Sequence, residues 1–61
     1  MKYRAKTHLG AWVYGILLYD MYGAYIDSGQ GKFKIELLTV QRLAGYDTEG
    51  NEVYKSVRLW K

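Results

Sequence analysis

The chain has 61 residues, which is enough for one small domain with a thin core. It contains no cysteine, so no disulfide or thiolate metal site can form. Nine Lys and Arg residues against six Asp and Glu residues give a net charge of +3, a mild excess that permits a polyanion partner without resembling a nucleic-acid-binding tail. We therefore expect residues 1–61 to form a single small domain.

Aromatic content is the unusual feature of the composition, because seven Tyr, two Trp and one Phe make up 16% of the chain. Large rings supply the buried area that a small domain without disulfides needs. The N-terminus lacks the apolar region of a secretory signal. The longest apolar stretch, residues 11–19, is far shorter than the roughly 20 residues of a spanning helix. These features predict a soluble, cytoplasmic protein that does not contact a membrane.

The first half of the chain alternates with a period of two. From Lys2 to His8, basic residues share one parity, which predicts a strand with one solvated face. A turn at Leu9-Gly10 leads into residues 11–19, whose continuous apolarity predicts a central strand covered on both faces. Gly15 within this strand predicts a bulge or a close backbone approach.

A third strand is predicted over residues 22–26, followed by a turn at residues 27–31. Residues 33–37 alternate again and predict a fourth strand. Residues 38–44 fit either a strand or a helical turn, and we favour a strand, a bend and a further strand.

The last hairpin has the clearest local signal. A strand over residues 42–46 leads into the turn Asp47-Thr48-Glu49-Gly50-Asn51, where Asp begins the turn and Gly supplies a positive φ. A strand over residues 52–60 leads out. Five to six short strands with turns every 8 to 12 residues predict an all-β fold, a small barrel-like or strongly bent antiparallel sheet. The predicted core consists of Trp12, Val13, Ile16, Leu17, Ile26, Phe33, Ile35, Leu37, Val53 and Val57.

Two segments resemble the N-terminal part of the YopX family of phage and prophage proteins. The opening YRAK at residues 3–6 and GAWVYG at residues 10–15 are similar to the family's aromatic-Arg-x-Lys, glycine and Trp-Val-Tyr-Gly. The run TVQ at residues 39–41 and GYDTEGNEVY at residues 45–54 resemble its Thr-Val-Gln-like run and its Thr-Gly-x-x-Asp-x-x-Gly-x-x-Ile-Tyr segment. The match is loose between residues 18 and 38.

Two positions depart from the family pattern. Ala44 stands where the family has Thr, and Val57-Arg58-Leu59 stands where it has Asp-Ile-Val, so the acidic residue is missing. Family members continue beyond this point, so the resemblance implies a minimal or truncated relative. It also implies a mostly β fold, a phage or prophage origin, a location in the host cytoplasm and no established enzymatic activity.

Catalytic residues are scarce. His8 is the only histidine and has no cysteine to pair with. The six carboxylates include no pair that the sequence places on one buried face, and Asp47, Glu49 and Glu52 lack the spacing of a calcium loop. We therefore predict a protein that is not an enzyme and that holds no cofactor or metal.

A basic surface is one candidate for function. Lys2, Arg4 and Lys6 on the first strand would merge with Lys55, Arg58 and Lys61 if the first and last strands paired. The rings of Tyr14, Tyr19, Tyr22, Tyr25 and Trp60 would lie beside this stripe. Small barrels that bind single strands combine cations for phosphate with rings for bases. The alternative is that the rings form the core and the charges keep the protein soluble.

A protein–protein surface is the other candidate, and it is the one that we favour. Ten aromatic residues exceed what a core of this size can hide, and Tyr and Trp are enriched at interfaces. The sequence thus predicts an accessory protein that binds a host or phage protein and modulates or inhibits a host factor. Nucleic-acid binding and homo-oligomerisation remain the alternatives. The predicted contact residues are Arg4, Lys6, Arg58 and Trp60.

Overall fold

The computed structural model describes residues 1–57, which form six antiparallel strands in one sheet. The strands are β1 (Tyr3–Lys6), β2 (Trp12–Asp20), β3 (Gly23–Asp27), β4 (Lys32–Lys34), β5 (Gln41–Tyr46) and β6 (Glu52–Ser56). Their order across the sheet is β4-β3-β2-β1-β5-β6. The predicted all-β fold is therefore confirmed. None of the helices in residues 1–57 is long and apolar enough to cross a membrane.

The sheet is bent, and one end of it folds back towards its centre. Beyond β4, Ile35 forms an antiparallel bridge with Thr7, which follows β1. The amide N–H of Glu36 donates to the carbonyl of Lys6 at 2.8 Å. This contact joins an edge of the sheet to a strand three places away without closing a barrel. We call the concave side the inner face and the convex side the outer face.

The core lies on the inner face and is small. Its buried side chains are aliphatic and come from β1, β3 and the segment between β4 and β5: Ala5, Ala24, Ile26, Ile35 and Val40. Tyr3, Val13, Leu17 and Val57 pack against them while remaining partly exposed. On β2 the inward-facing residues alternate with exposed ones, as expected for a strand with one covered face.

Gly15 in β2 permits a close backbone approach, as its sequence context predicts. Its φ is +151°, and a Cβ atom built there would lie 2.0 Å from the carbonyl oxygen of Asp27. Non-bonded carbon and oxygen atoms do not come this close, so any larger residue would push β3 away from β2.

The turn between β5 and β6 has the chemistry that the sequence predicts. The carboxylate of Asp47 accepts hydrogen bonds from the amides of Glu49 and Asn51, both at 2.9 Å. Gly50 has a φ of +83°. The hydrogen bond from the Asn51 backbone, followed by that from Glu49, lowers the pKa of Asp47 below its usual value. The charged form of the side chain therefore stabilises this turn.

The segment between β4 and β5 differs from the strand, bend and strand predicted for it. Residues 37–39 form a 3-10 turn, and the strand resumes only at Gln41. The hydroxyl of Thr39 accepts from the Lys6 amide at 2.8 Å and donates to the Glu36 carbonyl at 2.6 Å. The turn arises because the chain must cross the end of β1 to reach β5 on its far side.

Half of the predicted core is exposed, and of the rest only Ile26 and Ile35 are buried. Trp12 and Ile16 are 37% and 59% exposed, and Phe33, Leu37 and Val53 are exposed as well. The prediction that β2 is covered on both faces is also wrong, because its outward-facing side chains are exposed. The described residues form one bent layer, which can shield its inner face but supplies no second layer for the outer face.

Candidate functional site

An uncovered apolar row runs along the outer face of β2. Its four side chains are Trp12, Tyr14, Ile16 and Leu18, which alternate with the inward-facing residues of the same strand. Their exposed fractions are 37%, 40%, 59% and 37%. Six residue steps at about 3.3 Å each make the row about 20 Å long. Since β2 is the third of six strands, this row lies near the middle of the face.

Three cations, Arg4 and Lys6 of β1 and Lys2 just before it, line one side of the row. Arg4 pairs with Tyr14 and Lys6 pairs with Trp12 across the β1–β2 ladder, so their side chains share the outer face. The ammonium of Lys6 lies 5.2 Å from the centre of the Trp12 ring, and that of Lys2 lies 5.7 Å from the Tyr14 ring. These distances are within the range of cation–π attraction.

Arg4 is fixed between two aromatic rings. Its guanidinium carbon lies 4.4 Å from the ring centres of both Trp12 on β2 and Tyr54 on β6. Its Nε donates to the Oε1 of Gln41 at 2.7 Å. The side chain is half-buried, so the cation is held in one orientation by contacts from strands on both sides of β1.

An ion pair and a hydrogen bond connect Lys2 to β6. The Lys2 ammonium pairs with the Glu52 carboxylate at 2.9 Å, and the Tyr54 hydroxyl donates to the same carboxylate at 2.7 Å. The rings of Tyr14 and Tyr54 meet edge to face, with centres 5.9 Å apart. We call Lys2, Arg4, Lys6, Trp12, Tyr14, Gln41, Glu52 and Tyr54 the outer cluster.

The ionisation of the outer cluster follows from these contacts. Hydrogen bonding to Lys2, and then to Tyr54, lowers the pKa of Glu52. The same bond to Glu52 raises the pKa of Lys2. Desolvation, followed by the hydrogen bond to Glu52, raises the pKa of the Tyr54 phenol. At neutral pH the pair is therefore charged and the phenol keeps its proton.

Of the four predicted contact residues, Arg4 and Lys6 lie together on the outer face. Arg58 and Trp60 lie outside the described residues, as does Lys61. The condition for a merged basic stripe, pairing of the first and last strands, is not met within residues 1–57, because β5 lies between β1 and β6. Lys55 is opposite Arg42, which is opposite Tyr3, so Lys55 has the parity of the inner face and does not join the basic residues of β1.

Several members of the outer cluster are missing from the predicted contact surface. Trp12 belongs to the predicted core, and the sequence predicts no contact role for Gln41, Glu52 or Tyr54. Alternation along β2 would have placed Trp12 and Tyr14 on the same face. The contacts of Gln41 and Tyr54 depend on β5 lying beside β1, which local sequence patterns do not reveal.

The outer face can take part in stacking, apolar packing and ion pairing. It presents aromatic, aliphatic and cationic groups on regular strands. His8 lies apart from it in the exposed turn after β1. Within residues 1–57, no three or more His, Asp and Glu side chains come together as metal ligands.

Comparison with known proteins does not identify a family for this chain. The chain matches no family model, no curated protein sequence and no solved structure.

Proposed function

We propose that this chain is a phage or prophage accessory protein that binds a protein partner through its outer face and thereby modulates a host factor. The observation that carries the proposal is the exposed row of Trp12, Tyr14, Ile16 and Leu18 at the middle of that face. Sheet proteins usually cover such a row with a second layer. A partner surface would provide that layer.

The outer cluster has the composition of an interface centre. Trp, Tyr and Arg are the residue types that dominate binding energy in alanine scans. Here Arg4 is already held between Trp12 and Tyr54, so binding would immobilise few additional side-chain rotamers. A preorganised surface loses less conformational entropy on association, which favours affinity. Burying the exposed apolar area contributes about 25 cal/mol per Å² before such costs.

Single-stranded nucleic acid is the second candidate, because three cations lie beside two exposed rings. The geometry supports it less well. The Lys2 ammonium is paired with Glu52, and the Arg4 guanidinium is stacked and hydrogen-bonded to Gln41. Phosphate binding would have to compete with these contacts, whereas a protein surface can pack over them. The same apolar row would also serve in a homo-oligomer, the third alternative.

Capture from a bacterial lysate with a matched pair of variants tests the proposal. Ile16→Asp places a carboxylate in the middle of the row at a 59% exposed position. Tyr22→Asp makes a similar change in the β2–β3 turn, where Tyr22 is 71% exposed. We expect a protein that is retained by the wild type and by Tyr22→Asp but lost with Ile16→Asp. Equal retention by all three proteins would contradict a role for the outer face.

Two solution measurements separate the alternatives. Fluorescence titration with short oligonucleotides at about 50 and 200 mM salt would show saturable, salt-sensitive binding if phosphate contacts dominate. Sedimentation of the protein alone would show a dimer if a second copy covers the row. We expect no oligonucleotide binding and a monomer.

A further inference from the structure

The outer face carries cations on both sides of the apolar row, not only on the β1 side. Lys34 is opposite Tyr25, which is opposite Leu18, so these three side chains share the outer face. The ammonium of Lys32 lies 5.8 Å from the centre of the Tyr25 ring on the same face. A Cβ atom built on Gly23 would lie 3.2 Å from the Cε of Lys34, so this side chain extends across β3 towards the row. We call Lys32 and Lys34 the β4 lysines.

Most of these cations have no carboxylate partner among residues 1–57. The one ion pair in this part of the chain joins Lys2 to Glu52. Arg4, Lys6 and the β4 lysines therefore lie beyond ion-pair distance of every described carboxylate. Asp27 is opposite one of the β4 lysines, but its carboxylate accepts a hydrogen bond from a backbone amide of the following turn at 2.9 Å. A partner with carboxylates at these positions would pair with charges that the described residues leave unpaired.

One ring orients the two unpaired cations on the β1 side. The guanidinium carbon of Arg4 and the ammonium of Lys6 lie 4.4 Å and 5.2 Å from the centre of the Trp12 ring. The Nε of Arg4 donates to Gln41, which leaves the N–H groups of its two terminal nitrogens for an incoming carboxylate. Hydrogen bonds between a guanidinium and a carboxylate are short and strong, so a fixed arginine is well suited to select an acidic side chain.

The dimensions of the outer face fit an α-helix. The apolar row is one strand wide and about 20 Å long, the length of about 13 helical residues. A helix has a diameter of about 10–12 Å, and β1 and β3 lie about 10 Å apart on either side of β2. A helix above the row would therefore place its flanks near the cations. It would also satisfy its own backbone hydrogen bonds, whereas an extended segment laid on the face would bury amides and carbonyls without partners.

We propose that the outer face binds an amphipathic α-helix of a partner protein, with an apolar stripe along the row and Asp or Glu on both flanks of that stripe. This inference rests on the protein-binding function proposed above and specifies the contact surface of the partner. Carboxylates on one flank would pair with Arg4 and Lys6, and those on the other flank with the β4 lysines. A second copy of the chain fits less well, because its outer face carries the same cations on both sides of the row.

Two peptides of equal composition test whether the positions of the carboxylates matter. The probe Ac-AQALEQELAALEQELA-NH2 has its Leu residues on one helical face and Glu on both flanks of that stripe. The control Ac-AEALQEQLEALQEALA-NH2 keeps the Leu stripe and moves the Glu residues to the opposite side of the helix. We expect the probe to shift the amide NMR signals of Tyr14, Ile16 and Tyr25 and to gain helical circular dichroism on binding. It should bind about fivefold more tightly than the control, as expected for a few exposed ion pairs.

A matched pair of double variants shows whether the effect belongs to the outer face. Lys32→Gln with Lys34→Gln removes two exposed cations from that face. Arg42→Gln with Lys55→Gln removes two exposed cations from the inner face, where both share the parity of Tyr3. Both variants lower the net charge by the same amount. We expect only the first to weaken probe binding, by about threefold, and the loss should shrink as the salt concentration rises. Equal losses with both variants would overturn the inference.

Failure of this inference can be told apart from failure of the function on which it rests. Equal binding of both peptides at the outer face would overturn the acidic helix but leave the face as a protein-binding surface. Binding of neither peptide would also overturn it, and the capture experiment with Ile16→Asp would then decide the proposed function by itself. If a single-stranded oligonucleotide or phosphatidylglycerol vesicles shift the outer-face signals and the probe does not, both the inference and the proposed function are wrong.

Discussion

The guanidinium of Arg4 lies 4.4 Å from the centre of the Trp12 ring, so a residue predicted to bind a partner stacks on a residue predicted to be buried. The contact crosses the β1–β2 ladder, where Arg4 pairs with Tyr14 and Lys6 pairs with Trp12. Because Trp12 is 37% exposed, it acts as a surface platform that orients cations. A partly exposed ring contributes less to the free energy of unfolding than the buried ring that the sequence predicts.

Trp12→Ala should destabilise the protein by about 1–2 kcal/mol, less than the 3–5 kcal/mol typical of a buried Trp. A double-mutant cycle of Trp12→Ala with Arg4→Ala should give a coupling energy of about 0.5–1 kcal/mol in urea denaturation. Arg4→Lys keeps the charge and loses the planar stack, so it should lose part of the coupling. Strict additivity of the two alanine changes would show that the stack contributes nothing.

Gly15→Ala should destabilise the fold by at least about 3 kcal/mol, since its Cβ would lie 2.0 Å from the Asp27 carbonyl oxygen. Gly31→Ala is the matched control, because its Cβ would meet no atom within 4 Å. We expect the control to change stability by less than about 0.5 kcal/mol. Similar Tm values for the two variants would mean that β2 and β3 are not in close contact at Gly15.

The same substitution on opposite faces tests which side of the sheet is the core. Ile26→Ala removes a fully buried side chain and should cost about 2–5 kcal/mol. Ile16→Ala lies on the neighbouring strand but is 59% exposed, so we expect a change within about 0.5 kcal/mol. Equal losses in thermal denaturation would mean that the outer face is covered in solution.

Acid should weaken the β5–β6 turn through Asp47. Its pKa is lowered in the folded protein, so its stabilising effect is complete above the ordinary Asp pKa of about 3.9 and is lost as pH falls through the lower folded value. Asp47→Asn keeps the acceptor oxygen and removes the charge. The Tm difference between the wild type and Asp47→Asn should be largest near neutral pH and should shrink below about pH 4. A difference that stays constant with pH would exclude the carboxylate charge as the cause.

Local chemistry made several parts of the fold predictable. Asp47 and Gly50 define a turn by their own conformational preferences, and Gly15 signals a close approach because no larger residue fits there. Alternation from Lys2 to Lys6 placed three cations on one face correctly. Each of these features depends on a few neighbouring residues.

The wrong or missing predictions concern burial and contacts that depend on strands distant in the sequence. Continuous apolarity in β2 indicates burial on both faces only if a second layer exists, and the described residues form one layer. Ala5 and Ala24 are buried but are missing from the predicted core. They are buried because β1 and β3 place them on the inner face of the bend. The stacking of Tyr54 on Arg4 requires β6 to lie two places from β1, an order set by the topology.

The most direct test of the central claim is capture from lysate with and without prior nuclease digestion, using the wild type and Ile16→Asp. The account predicts a protein that the wild type retains equally in both lysates and that Ile16→Asp does not retain. Loss of that protein from the nuclease-treated lysate would contradict the account, because the outer face would then act through nucleic acid.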